Sequence, residues 1–313
     1  MFEILEEYYQ HLRVLNYSPV TITGHKSHMK IFCEYLLCRG QNDLLAVTRQ
    51  DIRELQAYLY ERMNSKGRQS KPQTQNYTLR KIGVLYRWLL SEERISADPC
   101  KDVVYAKEPH TLPMLPPTTT EARRLLHGTD DESAVGVRDR ALLEVAYGSG
   151  LRASELRRLK VEDLDLDALT LRVVQGKFRK DRVVPITQVC RDWIRRYLKE
   201  ARPLLMKGKQ DEGFLFVSVM QNKIGTSLPG IIVKRAAKLA GLDKRVYPHA
   251  LRAACLTHML RNSKEVGQNI LRPLMEMAGH ANLGTLHRYT ATDIQELKEI
   301  HAKTHPRELE ADF

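Results

Sequence analysis

Six residues in the C-terminal two thirds of the chain have the types and order to act on one phosphodiester: Arg152, Lys177, His249, Arg252, His280 and Tyr289. Arg152 sits in Gly150-Leu-Arg-Ala-Ser-Glu155, and Lys177 in a basic run that ends at Arg182. His249 and Arg252 bracket His-Ala-Leu-Arg, and His280 follows Gly279 nine residues before Tyr289. Cations can neutralise the charge that grows on phosphorus-bound oxygens in a displacement. A phenol can attack phosphorus, while lysine and histidine can move the protons that the attack requires.

These residues need particular elements to hold them. Gly148 and Gly150 should end one helix, so that Arg152 emerges at the start of the next with Glu155 three residues on and on the same face. Helix starts favour anions, and a guanidinium matches two phosphate oxygens, with Glu155 as its support. A surface Arg–Glu pair would give the same pattern. Pro248 suits a first helical turn, which puts His249 and Arg252 on one face of a second helix start. Lys177, Arg179, Lys180 and Arg182 fall between two β-branched stretches, 169–175 and 182–187, that read as a β-hairpin. A lysine at the hairpin tip could reach a leaving oxygen, and the other three cations could reach backbone phosphates. A solvated charge run is the plainer reading of those cations, as a packing tyrosine is of Tyr289. Two helix starts and a hairpin feeding one tyrosine favour the site.

The first hundred residues read as four helices. Ile4, Leu5, Tyr8, Leu12 and Leu15 recur at helical spacing, as do Ile22, Met29, Phe32 and Leu36. Thr48 with Asp51 opens a third helix, and Leu79, Ile82, Leu85, Trp88 and Leu89 mark a fourth. The polar loop between them offers Lys66 and Arg68 as phosphate contacts or as a merely solvated connection, and the fourth helix offers Asn76, Arg80 and Lys81 as candidates for the same polyanion. Pro109, Pro113, Pro116 and Pro117 stiffen an extended linker over 106–117. Thr118 with Glu121 then caps the first helix of a second domain, 118–313. The expected fold is therefore mainly α with a small antiparallel β-sheet, in two domains.

Composition narrows the partners. Lys and Arg number 50 against 38 Asp and Glu, a net charge of +12. Residues 1–105 carry an excess of three cations and the remainder an excess of nine, so two basic domains on a tether could close around a duplex. The sequence offers no apolar run of membrane-spanning length and no signal-peptide pattern. Five scattered cysteines suit reduced thiols in a cytoplasmic protein, and the histidine spacings are not those of a zinc site.

Gly150-Leu-Arg-Ala-Ser-Glu-Leu156, Gly176-Lys177 with Lys180 and Arg182, His249-Ala-Leu-Arg252, and Gly279-His280 through Tyr289 resemble the four motifs of the tyrosine site-specific recombinases, the phage-integrase family, in order. Length and C-terminus resemble its Xer-type members, and residues 1–105 its helical core-binding domain. Phe178 stands where the family often has glycine.

The resemblance implies site-specific cutting and rejoining of duplex DNA through a 3′-phosphotyrosyl link on Tyr289, without metal or nucleotide cofactor. Arg152 and Arg252 would clamp the phosphate, Lys177 would protonate the 5′-oxygen, and His249 would help move the tyrosine proton. His280 would hydrogen-bond the phosphate, and Glu155 would support the set. It further implies a tetramer on two recombination sites, in some cases with a second related recombinase, and a C-terminal helix that docks on a neighbouring protomer. Dimer resolution and mobile-element integration or excision both fit. A type IB topoisomerase acting on one duplex, and a non-catalytic DNA-binding protein on the same fold, are the alternatives.

Overall fold

The structure, a computed structural model, describes residues 1–63, 67–109, 116–174, 181–220, 222–265, 270–279 and 294–309. The chain divides into two compact units, Met1–Leu112 and Pro113–Phe313.

The first unit holds four helices: α1 (Phe2–Val14), α2 (Pro19–Cys38), α3 (Arg49–Glu61) and α4 (Pro72–Ser91). Local signals set their starts. Ser18 accepts from the Thr21 amide ahead of Pro19, Thr48 and Asp51 form a reciprocal capping box, and Pro72 stands in the first turn of α4. The apolar stripes meet in one core around Tyr8, Met29, Phe32, Leu55, Leu85 and Tyr86. The buried Tyr86 hydroxyl donates to the Leu44 carbonyl at 3.1 Å.

The second unit is mixed. Its helices are α5 (Thr119–His127), α6 (Ala134–Gly148), α7 (Ala153–Leu156), α8 (Gln188–Arg196), α9 (Arg202–Met206), α10 (Leu228–Leu239), α11 (Pro248–Glu265), α12 (Leu271–Ala278), α13 (Ile294–Thr304) and α14 (Pro306–Leu309). The strands β1 (Leu164–Asp165), β2 (Thr170–Val173) and β3 (Arg182–Pro185) form an antiparallel sheet in that order. Leu171 faces Val184 and Val173 faces Arg182 across the β2–β3 ladder. The expected hairpin is present, and β1 adds a third strand that its two residues did not announce.

Helix α6 is the spine, buried from Gly136 to Gly148 on every side. A helix buried all round is ordinarily apolar, yet this one carries Arg138, Asp139, Arg140 and Glu144. Each has a counter-charge, as burial demands. Arg138 pairs with Asp139 at 2.6 Å, and Arg235 also reaches Asp139. Arg140 donates from Nε to Glu144 at 2.9 Å, and Arg307 reaches Glu144 from α14.

Candidate active site

At the end of α6 the Ser149 amide donates to the Val145 carbonyl, and Gly150 turns the chain at φ +60°. That left-handed turn suits glycine. Arg152 then stands as the N-cap of α7, as expected. The anion at this helix start is the Glu155 carboxylate of the same turn. Its Oε2 accepts the Arg152 amide at 2.8 Å and its Oε1 accepts Arg152 Nη1 at 2.9 Å.

Arg182, at the start of β3, closes on the same carboxylate with both Nη atoms, at 3.0 and 2.9 Å. Glu155 is therefore buried beneath two guanidiniums. Burial pushes its carboxyl up, but the hydrogen bonds from Arg182 and Arg152 outweigh that and hold its pKa at about 2. Arg182 had been expected to contact DNA, and its place corrects that reading. Only 13% of its side chain is exposed, and its donors are turned inward.

Arg252 lies on the first turns of α11, three residues from His249, as the Pro248 signal required. His249 is exposed, whereas Arg252 is 1% exposed. Arg252 donates from Nη1 to the Gly150 carbonyl at 2.7 Å and from Nη2 to the Ala278 carbonyl. Burial, together with the neighbouring Arg152 cation, lowers its pKa to about 10, which leaves it charged at neutral pH.

The last turn of α12 gathers these arginines. Its carbonyls at 277, 278 and 279 accept in sequence from Arg182 Nε at 2.9 Å, from Arg252 Nη2 and from Arg152 Nη2 at 3.1 Å. A helix C-terminus leaves such carbonyls without intrahelical donors and carries partial negative charge, so cations suit it. Gly279 ends α12 at φ +57°, and a Cβ there would approach the Arg182 guanidinium at 3.2 Å. The next residue in the chain is His280. His280, Tyr289, Lys177, Arg179, Lys180 and Lys66 lie outside the described residues.

The chain matches the phage integrase family over residues 118–296. It is 32% identical to the tyrosine recombinase XerD of Ralstonia nicotianae over 92% of this chain and 88% of that one. The chain belongs to the phage integrase family. This Xer-like tyrosine recombinase is an enzyme of site-specific DNA recombination that breaks and rejoins DNA strands. It is also 32% identical to a XerC protein of the same organism, over 98% of this chain and 86% of that one. A lambda integrase tetramer solved on a Holliday junction shares its fold, with a TM-score of 0.62 and 17% identity over 94% of this chain and 80% of that one.

In the first unit of the recombinase, Asn76 is the second correction. It is 1% exposed, and its amide is spent on the 106 carbonyl and amide and on Glu108, all at 2.9 Å. It pins the chain that leaves the unit, and none of its surface is available to a base. Arg80 is exposed on α4, stacked 5.1 Å over Tyr105 and 3.8 Å from Glu108. Arg68 is exposed as well. Lys81 is half-buried, with Nζ 2.8 Å from His25 Nε2. Burial lowers the His25 pKa to about 4, so its neutral ring accepts from Lys81. The ring proton is then on Nδ1, 2.7 Å from the Tyr8 hydroxyl.

The C-terminal segment, expected to dock on a neighbour, packs on its own unit in the single chain. His301, Thr304, His305 and Arg307 are all buried there. His301 Nε2 donates to the Gly148 carbonyl at 2.7 Å, and His305 Nε2 to the Tyr147 carbonyl at 3.2 Å. Both contacts fall on the last turn of α6, just before Gly150. Packing on its own domain is the plainer reading of this amphipathic helix, and the polar anchors His301 and His305 are the part of the seat that the sequence did not single out.

Burial lowers the His301 pKa from the ordinary 6.5 to about 4 and also pushes His305 well below its ordinary value. Both rings are neutral when folded and take up protons more readily when unfolded. Stability is therefore complete above the ordinary histidine range and is lost as pH falls through it. His301 alone is expected to cost about 2 kcal/mol by pH 5. Thermal melts of wild type and His301→Gln between pH 7.5 and 4.5 would show this as a steeper fall for wild type. Parallel curves would refute it.

Proposed function

We propose that Arg152 and Arg252 hold the scissile phosphate of a duplex recombination site while Tyr289 attacks phosphorus. A Tyr289 oxygen–phosphorus bond forms, the bond to the 5′-oxygen breaks, and a 3′-phosphotyrosyl link results. His249 takes the phenol proton, Lys177 gives one to the 5′-oxygen, and His280 donates to a non-bridging oxygen. Glu155 orients Arg152. Reversal by a 5′-hydroxyl from a second duplex completes the exchange.

One observation carries this reading: two guanidiniums from separate helices converge on the α12 turn that leads directly into His280. Arg252 is already enclosed, so phosphate binding exchanges a carbonyl contact for a charged oxygen, the stronger acceptor. The first unit, through Arg68, Arg80 and Lys81, and the hairpin cations Arg179 and Lys180 would supply backbone contacts, and the 106–117 stretch would link the two units. Four protomers on two sites, with or without a second related recombinase, would form the synapse in the cytoplasm. In it the C-terminal segment would leave its own seat for a neighbour's. The DNA-bound tetramer of the same fold supports that assembly.

A randomised duplex pool, incubated with the protein and resolved on a denaturing gel, tests the chemistry. Wild type is expected to yield a covalent protein–DNA adduct, with or without chelator, and Tyr289→Phe none. An adduct that survives in the phenylalanine variant would show that Tyr289 is not the nucleophile.

A further inference from the structure

Arg182 has no role in the mechanism above, yet it makes three hydrogen bonds within the site. Its two Nη atoms hold both oxygens of Glu155, and its Nε holds the Met277 carbonyl. It enters from the first residue of β3, paired with Val173 at the end of the ladder next to the 174–181 connection, whose sequence includes Lys177. One planar group thus joins three stretches of chain: the hairpin, the Arg152 turn and the end of α12. Gly279 is bare against the same guanidinium, which a Cβ would meet at 3.2 Å.

We propose that Arg182 is a positioning residue for strand cleavage, acting through Glu155 and the α12 terminus and not through contact with DNA. Without it, among the described residues, Glu155 keeps only Arg152 as a charged partner and the carbonyls at 277–279 lose one of three side-chain donors. The Arg152 fork, the hairpin foot and the turn before His280 are then each free to drift. A misplacement of about 1 Å in such a set costs on the order of 100-fold in rate. A lysine cannot substitute, because one ammonium cannot meet two carboxylate oxygens and a carbonyl in the plane of the fork.

The proposal rests on the cleavage chemistry assigned above, and the controls separate the two. A duplex selected from the randomised pool would be used at saturating concentration, with adduct formation followed in a single turnover. Arg182→Lys is expected to slow the adduct step about 100-fold, while duplex affinity and its salt dependence stay as in wild type. Arg182→Gln combined with Glu155→Gln should be no slower than the worse single variant, because the two act as one unit. An Arg182→Lys protein that cleaves at the wild-type rate when saturated overturns the proposal. So does a salt slope reduced by about one in Arg182→Gln, the mark of a lost phosphate contact. If Arg182→Gln does not fold, Arg182→Lys, which keeps the charge, still decides. Should Tyr289→Phe also form the adduct, the chemistry itself fails, and that result does not depend on Arg182.

Discussion

Arg252→Lys is expected to slow covalent adduct formation by about 100- to 1000-fold at saturating duplex, the scale of losing one preorganised donor to a developing oxyanion. The charge is kept, so the loss isolates the geometry. The guanidinium bridges the Gly150 and Ala278 carbonyls, which belong to the turn after α6 and the end of α12. An ammonium reaches one of them at a time, and the phosphate must then compete for the same three protons. Duplex affinity should change little, because Arg252 is buried and contributes little to the surface that a duplex first meets. The stability cost should be about 1–3 kcal/mol, that of one buried carbonyl left without a donor. Single-turnover rates set beside equilibrium binding and a thermal melt check all three. A lysine variant that cleaves at the wild-type rate would remove Arg252 from the reaction.

What the sequence disclosed of this site follows the range of the forces involved. The helix starts were legible because Thr48 with Asp51, Thr118 with Glu121, and Pro248 act within one turn of themselves. Gly150 was legible because its positive φ is a local demand. The Arg152–Glu155 contact also spans three residues, and its spacing foretold it. Arg182 and Glu155 are 27 residues apart, and Arg182 and Met277 are 95 apart. Nothing near Arg182 distinguishes a brace from a phosphate contact, so a cation in a basic run was assigned to DNA. Asn76 failed in the same way. A polar residue on an amphipathic helix looks exposed until the chain at 106–108 returns to cover it. Recognition of the family placed the chemistry, whereas long-range burial decided which polar residues remain available for it.

Long-range burial is also what ties the C-terminal segment down, and it predicts an order of effects among three charges. Glu144 is fully buried between Arg140 and Arg307, both of them 2% exposed at the side chain. Glu144→Gln leaves two buried cations without a counter-charge and is expected to cost about 3–5 kcal/mol. Arg307→Met removes one of the two cations and leaves the Arg140–Glu144 pair, at 2.9 Å, intact. Its cost should be smaller, about 1–3 kcal/mol, the cost of leaving Glu144 short of a hydrogen-bond donor. It should fall on the segment that Arg307 anchors. At about 2–4 °C per kcal/mol for a unit of this size, Glu144→Gln should lower the melting temperature by roughly 6–20 °C. Arg307→Met should lower it less, by roughly 2–12 °C on the same scale, and open the chain around α13 and α14 to proteases. Limited proteolysis beside thermal melts distinguishes the two. Equal melting losses with no new cleavage near the C-terminus would mean that Arg307 serves the α6 core and does not fasten the segment. The order also bears on the reaction, since α13 begins five residues after Tyr289 in the sequence. A loosened segment should therefore slow adduct formation in Arg307→Met at temperatures well below its melt.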